Sequence, residues 1–153
     1  MNAPAATDTI SNKIYTIRKL QVMLDGDLAE LYGVETKVFN QAIKRNIERF
    51  PDEFRFQLTQ EEFDNLRSQF VTSSENIKQH GGRRYIPYVF TEQGVSMLSA
   101  VLRSDTAIQT SIQIINSFVK MRSFLSKNAD IFTRLAFSRF EMEALEILGK
   151  LKS

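Results

Sequence analysis

An α+β fold, a small antiparallel sheet carrying an embedded helix-turn-helix of winged type and followed by C-terminal helices, is predicted by three features of this sequence. Short segments alternate apolar and polar side chains with the period of a strand. Longer segments repeat with the period of a helix. Capping residues stand at most junctions between the two. Apolar residues make up 42% of the 153 and charged residues 25%, a balance that can fill a core and that a disordered chain lacks. Twelve Phe and no Trp leave that core to Phe, Leu, Ile and Val.

Met1 to Ser11 is Ala-rich and without period, and reads as a disordered lead of residues 1–11. Lys13 to Arg18 (KIYTIR) alternates as a strand, with Gln21 to Leu24 as its partner. Asp25 stands where an N-cap is needed, Asp27 adds a favourable first-turn charge, and a helix from Gly26 to about Tyr32 follows. Gly33 ends it, as a residue that tolerates positive φ. Thr36 is placed to cap a second helix from Lys37 to about Asn46.

Arg49-Phe50-Pro51-Asp52 breaks the helical pattern, and Phe54 to Leu58 (FRFQL) alternates strictly as a strand. Thr59 with Glu62 three residues on has the form of a capping box for a helix from Gln60 to about Phe70. Val71 to Gly82 is polar and aperiodic, a loop or turn. Tyr85 to Phe90 is a further strand, in which Pro87 argues for an edge position or a bulge. Thr91 caps a helix to about Leu102, and Ser104 or Asp105 caps another. In that last helix Ile108, Ile112, Ile115 and Val119 recur as one apolar stripe. Phe137, Ala144, Leu148 and Leu151 form a second stripe with no evident partner in a small domain. Residues 12–125 are therefore expected to form one domain, with 126–153 a helical segment for self-association, most simply as a homodimer.

Composition narrows the chemistry. The net charge of +2 argues only weakly for a polyanionic partner, so the distribution matters more. From Asn76 to Thr91 Lys78, Arg83 and Arg84 meet no acidic residue, and from Lys37 to Arg49 four basic residues face only Glu48. Without Cys there is no disulfide framework and no thiolate chemistry. No basic-then-apolar start marks a secretory signal, and no apolar run approaches the ~20 residues needed to span a bilayer. A soluble, cytoplasmic protein with no membrane association is expected.

The two helices around Gly33 carry the functional argument. A helix-turn-helix, expected at residues 25–46, needs a small residue where its helices touch, a turn residue where the chain reverses, and apolar residues in the wedge. Ala29 and Gly33 have that spacing, and Leu28, Tyr32, Val34, Phe39 and Ala42 fall in the wedge. On the second helix Phe39, Ala42 and Ile43 share one face, whereas Lys37, Asn40, Gln41 and Lys44 share the opposite one. Any amphipathic surface helix has a polar face. Amides at the centre of that face are what a recognition helix requires, since Asn and Gln pair with adenine and Lys reaches guanine or phosphate. Arg83 and Arg84, after Gly81-Gly82 and before a strand, have the form of a wing tip that could lie against phosphate, although a solvated basic loop reads the same way. Lys78 and His80 are weaker candidates.

The runs KIYTIR, QVMLDGDLAELYGVETK and AIKRNIERFPDEFRFQLT, then GGRRYIPYVFTEQGVSMLSAVLRS, closely resemble the N-terminal domain of phage antirepressor-like proteins, a domain related to the KilA-N group. The resemblance spans roughly Ile14 to Phe124. It implies a DNA-binding domain associated with phage repression or antirepression, with contact on the helix of Asn40, Gln41 and Lys44.

Other chemistry fits less well. The single His80 lies in a polar loop with no triad spacing, and an enzyme is not expected. Asp52, Glu53, Glu61, Glu62 and Asp64 could hold Mg²⁺, but read better as a turn and the acidic first turn of a helix. No zinc-ligand cluster or phosphate loop is present, so no metal or cofactor is expected. The expected contacts to double-stranded DNA are Asn40 and Gln41 to bases and Lys37 and Lys44 to bases and phosphate. Arg45, Arg83 and Arg84 are assigned to the backbone, and Thr36 to a phosphate at the helix N-terminus. The competing expectation is an antirepressor that binds a repressor protein, favoured by the stripe from Phe137 to Leu151.

Overall fold

The structure, a computed structural model, describes residues 9–69 and 85–129. The fold is α+β, with a four-stranded antiparallel sheet in the order β1-β2-β4-β3. Strand β1 (Tyr15–Ile17) and β2 (Leu20–Leu24) form a hairpin, paired Tyr15 to Val22 and Ile17 to Leu20. Its two-residue turn has φ of 54° at Arg18 and 65° at Lys19, the left-handed pair that matches the twist of a tight hairpin. Neither residue is Gly or Asn, so the turn costs ~1–2 kcal/mol per residue. Arg18 offsets this. It donates from Nε and Nη2 to both Glu62 carboxylate oxygens at 2.8 and 2.9 Å and covers the Phe56 ring at 4.3 Å.

Strands β3 (Arg55–Gln57) and β4 (Tyr88–Phe90) complete the sheet. β4 pairs with β2 through Met23 and Phe90, and with β3 through Phe56 and Val89. The edge position expected from Pro87 is corrected: β4 is interior. Pro87 precedes its first residue, so the missing N–H lies outside the ladder, and its carbonyl accepts from Leu58 N at 3.1 Å.

Five α-helices lie among the described residues: α1 (Asp25–Tyr32), α2 (Thr36–Arg45), α3 (Gln60–Ser68), α4 (Glu92–Leu102) and α5 (Asp105–Lys127). A 3₁₀ turn covers Ile47–Arg49. The capping box of α3 forms as its sequence requires: Thr59 Oγ1 accepts from Glu62 N at 3.1 Å, and Thr59 N donates to Glu62 Oε1 at 2.8 Å. Thr91 caps α4, and Ser104 Oγ accepts from Ala107 N at 3.0 Å at the start of α5. Two expected caps are corrected. Asp25 is the first residue inside α1, with Leu24 at its N-cap, and Thr36 is the first inside α2, with Glu35 at its N-cap. Asp25 is turned into the fold instead, as described below.

The sheet is covered on both faces. Val22, Leu24, Phe56, Leu58 and Val89 pack against Phe63 and Leu66 of α3. Strand alternation turns Phe90 to the other face, where it meets Phe39 of α2 edge-on at 5.6 Å and Phe50 at 5.9 Å. Phe39 in turn stacks on Tyr32 of α1 at 6.3 Å. Tyr32 Oη and Ser111 Oγ lie 2.6 Å apart, a hydrogen bond that ties α1 to α5. Residues 9–11 form a helical turn with Ile10 buried, where a disordered lead was expected; a lone apolar residue has no period to announce it.

The chain divides into two compact units, residues 1–118 and 119–153, with the division inside α5. The stripe Ile108, Ile112, Ile115 and Val119 is not the core face of α5. Ala107, Ser111, Ile114, Ser117 and Phe118 are buried, whereas Ile108, Ile112 and Val119 are exposed. The expected self-association stripe from Phe137 to Leu151 lies outside the described residues. Among those described, no helix is long and apolar enough to cross a membrane.

A candidate nucleic-acid interface on the second helix

Helix α2 is fixed from one side. Phe39 and Ile43 are fully buried, a turn apart, and fill the space between α1, the sheet and α4. Gly33, at φ 72°, reverses the chain between α1 and α2. Its N–H donates to the Glu30 carbonyl at 3.0 Å, and Val34 N to the Ala29 carbonyl at 3.0 Å, a paired closure of the helix end. Only three residues separate the helices, so α2 leaves at an angle fixed by this turn and the aromatic stack.

The other side of α2 is open. Lys37, Val38, Gln41, Lys44 and Arg45 are exposed, and no acidic residue occurs within the helix. At about 100° per residue Gln41 lies at the centre of this face, with Lys37 and Lys44 one turn to either side. Arg45 and Val38 flank it. The basic residues Lys44 and Arg45 occupy the last turn, where they complement the helix dipole. Thr36 is half-buried at the first position, and no side chain caps the N-terminus of α2.

Asn40 lies at the margin of the open face, half-buried. Its Nδ2 donates to Tyr85 Oη at 3.2 Å and to Asp25 Oδ2 at 3.4 Å. Its Oδ1 is buried with no partner among the described residues. The sequence reading grouped Asn40 with Lys37, Gln41 and Lys44; the structure brings together Lys37, Gln41, Lys44 and Arg45, and turns the Asn40 amide inward. Arg83 and Arg84 fall outside the described residues, as do Lys78 and His80.

Asp25 is the hub of the group that Asn40 joins. Its Oδ1 accepts from Gly26 N at 2.7 Å, and its Oδ2 accepts from Tyr85 Oη, Asn40 Nδ2 and, at 3.5 Å, Tyr88 N. Burial pushes its pKa above the usual carboxylate range, against the downward pull of these donors. Burial likewise raises the Tyr85 phenol, with the Asp25 charge adding to it. Arg55 stacks on the Tyr88 ring at 3.6 Å, and burial lowers its pKa. Sequence reasoning missed this group. Its one signal was an Asp next to the buried run Val22-Met23-Leu24, where a solvated cap is out of place.

Two of the five acidic residues considered for Mg²⁺ are engaged by neighbouring side chains. Glu62 is held by Arg18 and Thr59, and Asp64 accepts from Gln60 and Arg67.

Residues 12–101 match the ORF6N domain, well over half of the chain. The chain belongs to the ORF6N domain family. This is a domain found in phage antirepressor-like proteins. The match takes in the whole sheet and helices α1 to α3, and ends within α4. The aromatic stack and the open face of α2 therefore lie within the matched residues. No curated protein and no solved structure matches the chain.

Proposed function

We propose that this ORF6N protein is a phage- or prophage-type regulator that binds double-stranded DNA in a sequence-dependent way, with α2 as the recognition helix of a helix-turn-helix. It binds and does not catalyse. The observation that carries this reading is the division of α2: Phe39 and Ile43 are buried, and the opposite face holds only Lys37, Gln41, Lys44, Arg45 and the aliphatic Val38. A helix entering a major groove needs a rigid inner face and an outer face of hydrogen-bonding and cationic groups.

Gln41, at the centre, reads a base edge, most simply adenine. Lys37 and Lys44 reach guanine or phosphate, and Arg45 holds the backbone. Val38 is placed for a thymine methyl. The uncapped N-terminus at Thr36 suits a phosphate. Asn40 supports the reading helix from behind through Asp25 and Tyr85, so base reading falls chiefly to Gln41. Arg83 and Arg84 immediately precede Tyr85 in sequence, and their assigned role is backbone contact. The resemblance to the KilA-N group supports the same reading.

A second reading, an antirepressor that binds a repressor protein, is favoured by a different surface. Leu20 and Ile47, both exposed, line an open groove with Arg18, Asp52, Glu53 and Phe56. Apolar residues with charges of both signs suit a protein partner better than a polyanion.

The test is selection from a random duplex pool at several salt concentrations, with the Lys37/Gln41/Lys44 triple alanine variant beside the parent. DNA binding predicts one enriched motif that the variant loses. No retention of DNA at low salt moves the assignment to the groove and a protein partner.

A further inference from the structure

The cations of the first compact unit fall into two groups. One group is engaged within the fold: Lys13 with Glu30, Arg18 with Glu62, Arg67 with Asp64, Arg55 on the Tyr88 ring and Arg103 with the Ala100 carbonyl. The other group is Lys19, Lys37, Lys44, Arg45 and Arg49, whose side chains make no ion pair, hydrogen bond or ring contact among the described residues. All of these but Lys19 lie on α2 or on the 3₁₀ turn that follows it. The DNA reading of α2 uses Lys37, Lys44 and Arg45 and leaves Arg49 over.

Arg49 has an exposed side chain on a fixed backbone. Its N–H donates to the Asn46 carbonyl at 2.9 Å, and Asn46 Nδ2 donates to the Ala42 carbonyl at 2.9 Å. Phe50, the next residue, is buried edge-on against Phe90, and its N–H donates to the Ile47 carbonyl at 3.0 Å. The turn is thus pinned to the last turn of α2 at one end and to the aromatic stack at the other. Side chains three apart align in a 3₁₀ turn. Ile47 and Phe50 align and both line the open groove; Arg49 instead aligns with Asn46.

The length of α2 says what Arg49 meets. Its ten residues rise ~15 Å, against a major groove ~12 Å wide. A helix of that length laid across the groove holds its middle at the bases and passes over a sugar–phosphate strand at each end. Gln41 is then at the bases, and the chain beyond Arg45 crosses the backbone. A guanidinium on a pinned turn at that crossing offers a phosphate two parallel N–H donors as well as a charge.

We infer that Arg49 is a phosphate anchor of the DNA interface, bound to the strand that the chain crosses where the C-terminal end of α2 leaves the major groove. This rests on the DNA reading of α2. Gln41 selects the site, whereas Arg49 fixes how the helix is seated and acts on all sequences alike.

The test titrates the duplex selected from the random pool, and a scrambled duplex, across salt concentrations. The whole 153-residue chain is used as parent, Arg49→Gln, Arg49→Lys and Arg67→Gln. Arg67 lies on α3, which covers the other face of the sheet, and so controls for the loss of one charge. Arg49→Gln is expected to weaken both duplexes about tenfold. Its slope of log affinity against log salt is expected to be shallower by about one. Arg67→Gln is expected to match the parent. Arg49→Lys is expected to recover the slope but only part of the affinity, since an ammonium cannot make the paired contact. Single neutral methylphosphonate links in the selected duplex then locate the contact. One link is expected to weaken the parent and leave Arg49→Gln unaffected. An Arg49→Gln slope equal to the parent's, an equal loss in Arg67→Gln, or no link at which parent and Arg49→Gln differ would overturn the anchor and leave the reading helix standing. A parent that retains no duplex at low salt would overturn the reading helix and the anchor with it.

Discussion

Asn40 donates its side-chain amide to the Tyr85 hydroxyl at 3.2 Å, and both bond the same buried carboxylate, Asp25. Three segments distant in sequence thus meet at one polar point: the start of α1, the middle of α2, and the residue that follows Arg83 and Arg84. The geometry of α2 therefore rests on two supports. One is the aromatic stack of Tyr32, Phe39, Phe90 and Phe50, and the other is this hydrogen-bonded group.

Removing the hub should cost more than removing a spoke. Asp25→Ala takes their carboxylate acceptor from Gly26 N, Tyr88 N and Tyr85 Oη and leaves Asn40 Nδ2 with Tyr85 alone, and is expected to destabilise the fold by ~2–4 kcal/mol. Tyr85→Phe deletes one hydroxyl and is expected to cost about 1–2 kcal/mol. Denaturant unfolding of both variants checks the order. An Asp25→Ala protein as stable as the parent would show that the group is not a support.

The Arg18 to Glu62 pair makes a signed prediction about acid. Glu62 is held down to about 2, first by the Arg18 hydrogen bonds. Its ionised form is thus favoured by folding, and the contribution is present above the ordinary Glu value of 4.5 and lost as pH falls towards 2. Arg18 is 45% exposed on its side chain, so screening limits the effect to about 1 kcal/mol. Glu62→Gln keeps the capping box and removes the charge. Its stability is expected to fall less than the parent's between pH 5 and pH 3, measured by urea unfolding.

Gly94 has no room for a side chain. A Cβ there would lie 2.1 Å from the Phe54 carbonyl oxygen, a backbone atom that also accepts from Thr91 N at 3.0 Å. Gly94→Ala must push α4 away from the loop before β3, and is expected to cost ~2–4 kcal/mol. A thermal midpoint equal to the parent's would contradict that close approach.

Much of this was legible in the sequence because it is local. The Thr59 and Glu62 box, the turn at Gly33, the strand at Arg55–Gln57 and the buried pair Phe39 and Ile43 all follow from spacing within a few residues. What was not legible depends on partners far along the chain. Arg18 and Lys19 take up a hairpin turn usually given to Asn and Gly because Glu62 and Phe56 hold Arg18 in place. Asp25 looks like a cap until Tyr85 and Asn40 are beside it. The stripe on α5 has the periodicity of a core face, and periodicity gives the width of a face but not its direction. Asn40 sits at the edge of the polar sector, where one wheel position separates solvent from core.

The proposed reading of DNA by the open face of α2 has Gln41 at its centre. The most direct measurement is the dissociation constant of parent, Gln41→Ala and Lys44→Ala on the selected duplex and on its single-base variants, across salt concentrations. Base reading by Gln41 predicts that Gln41→Ala loses ~1–3 kcal/mol on the selected site and tolerates substitution at one base pair, with its salt slope unchanged. Lys44→Ala should weaken all duplexes alike and flatten the slope. A Gln41→Ala protein that binds and discriminates every duplex as the parent does would contradict it.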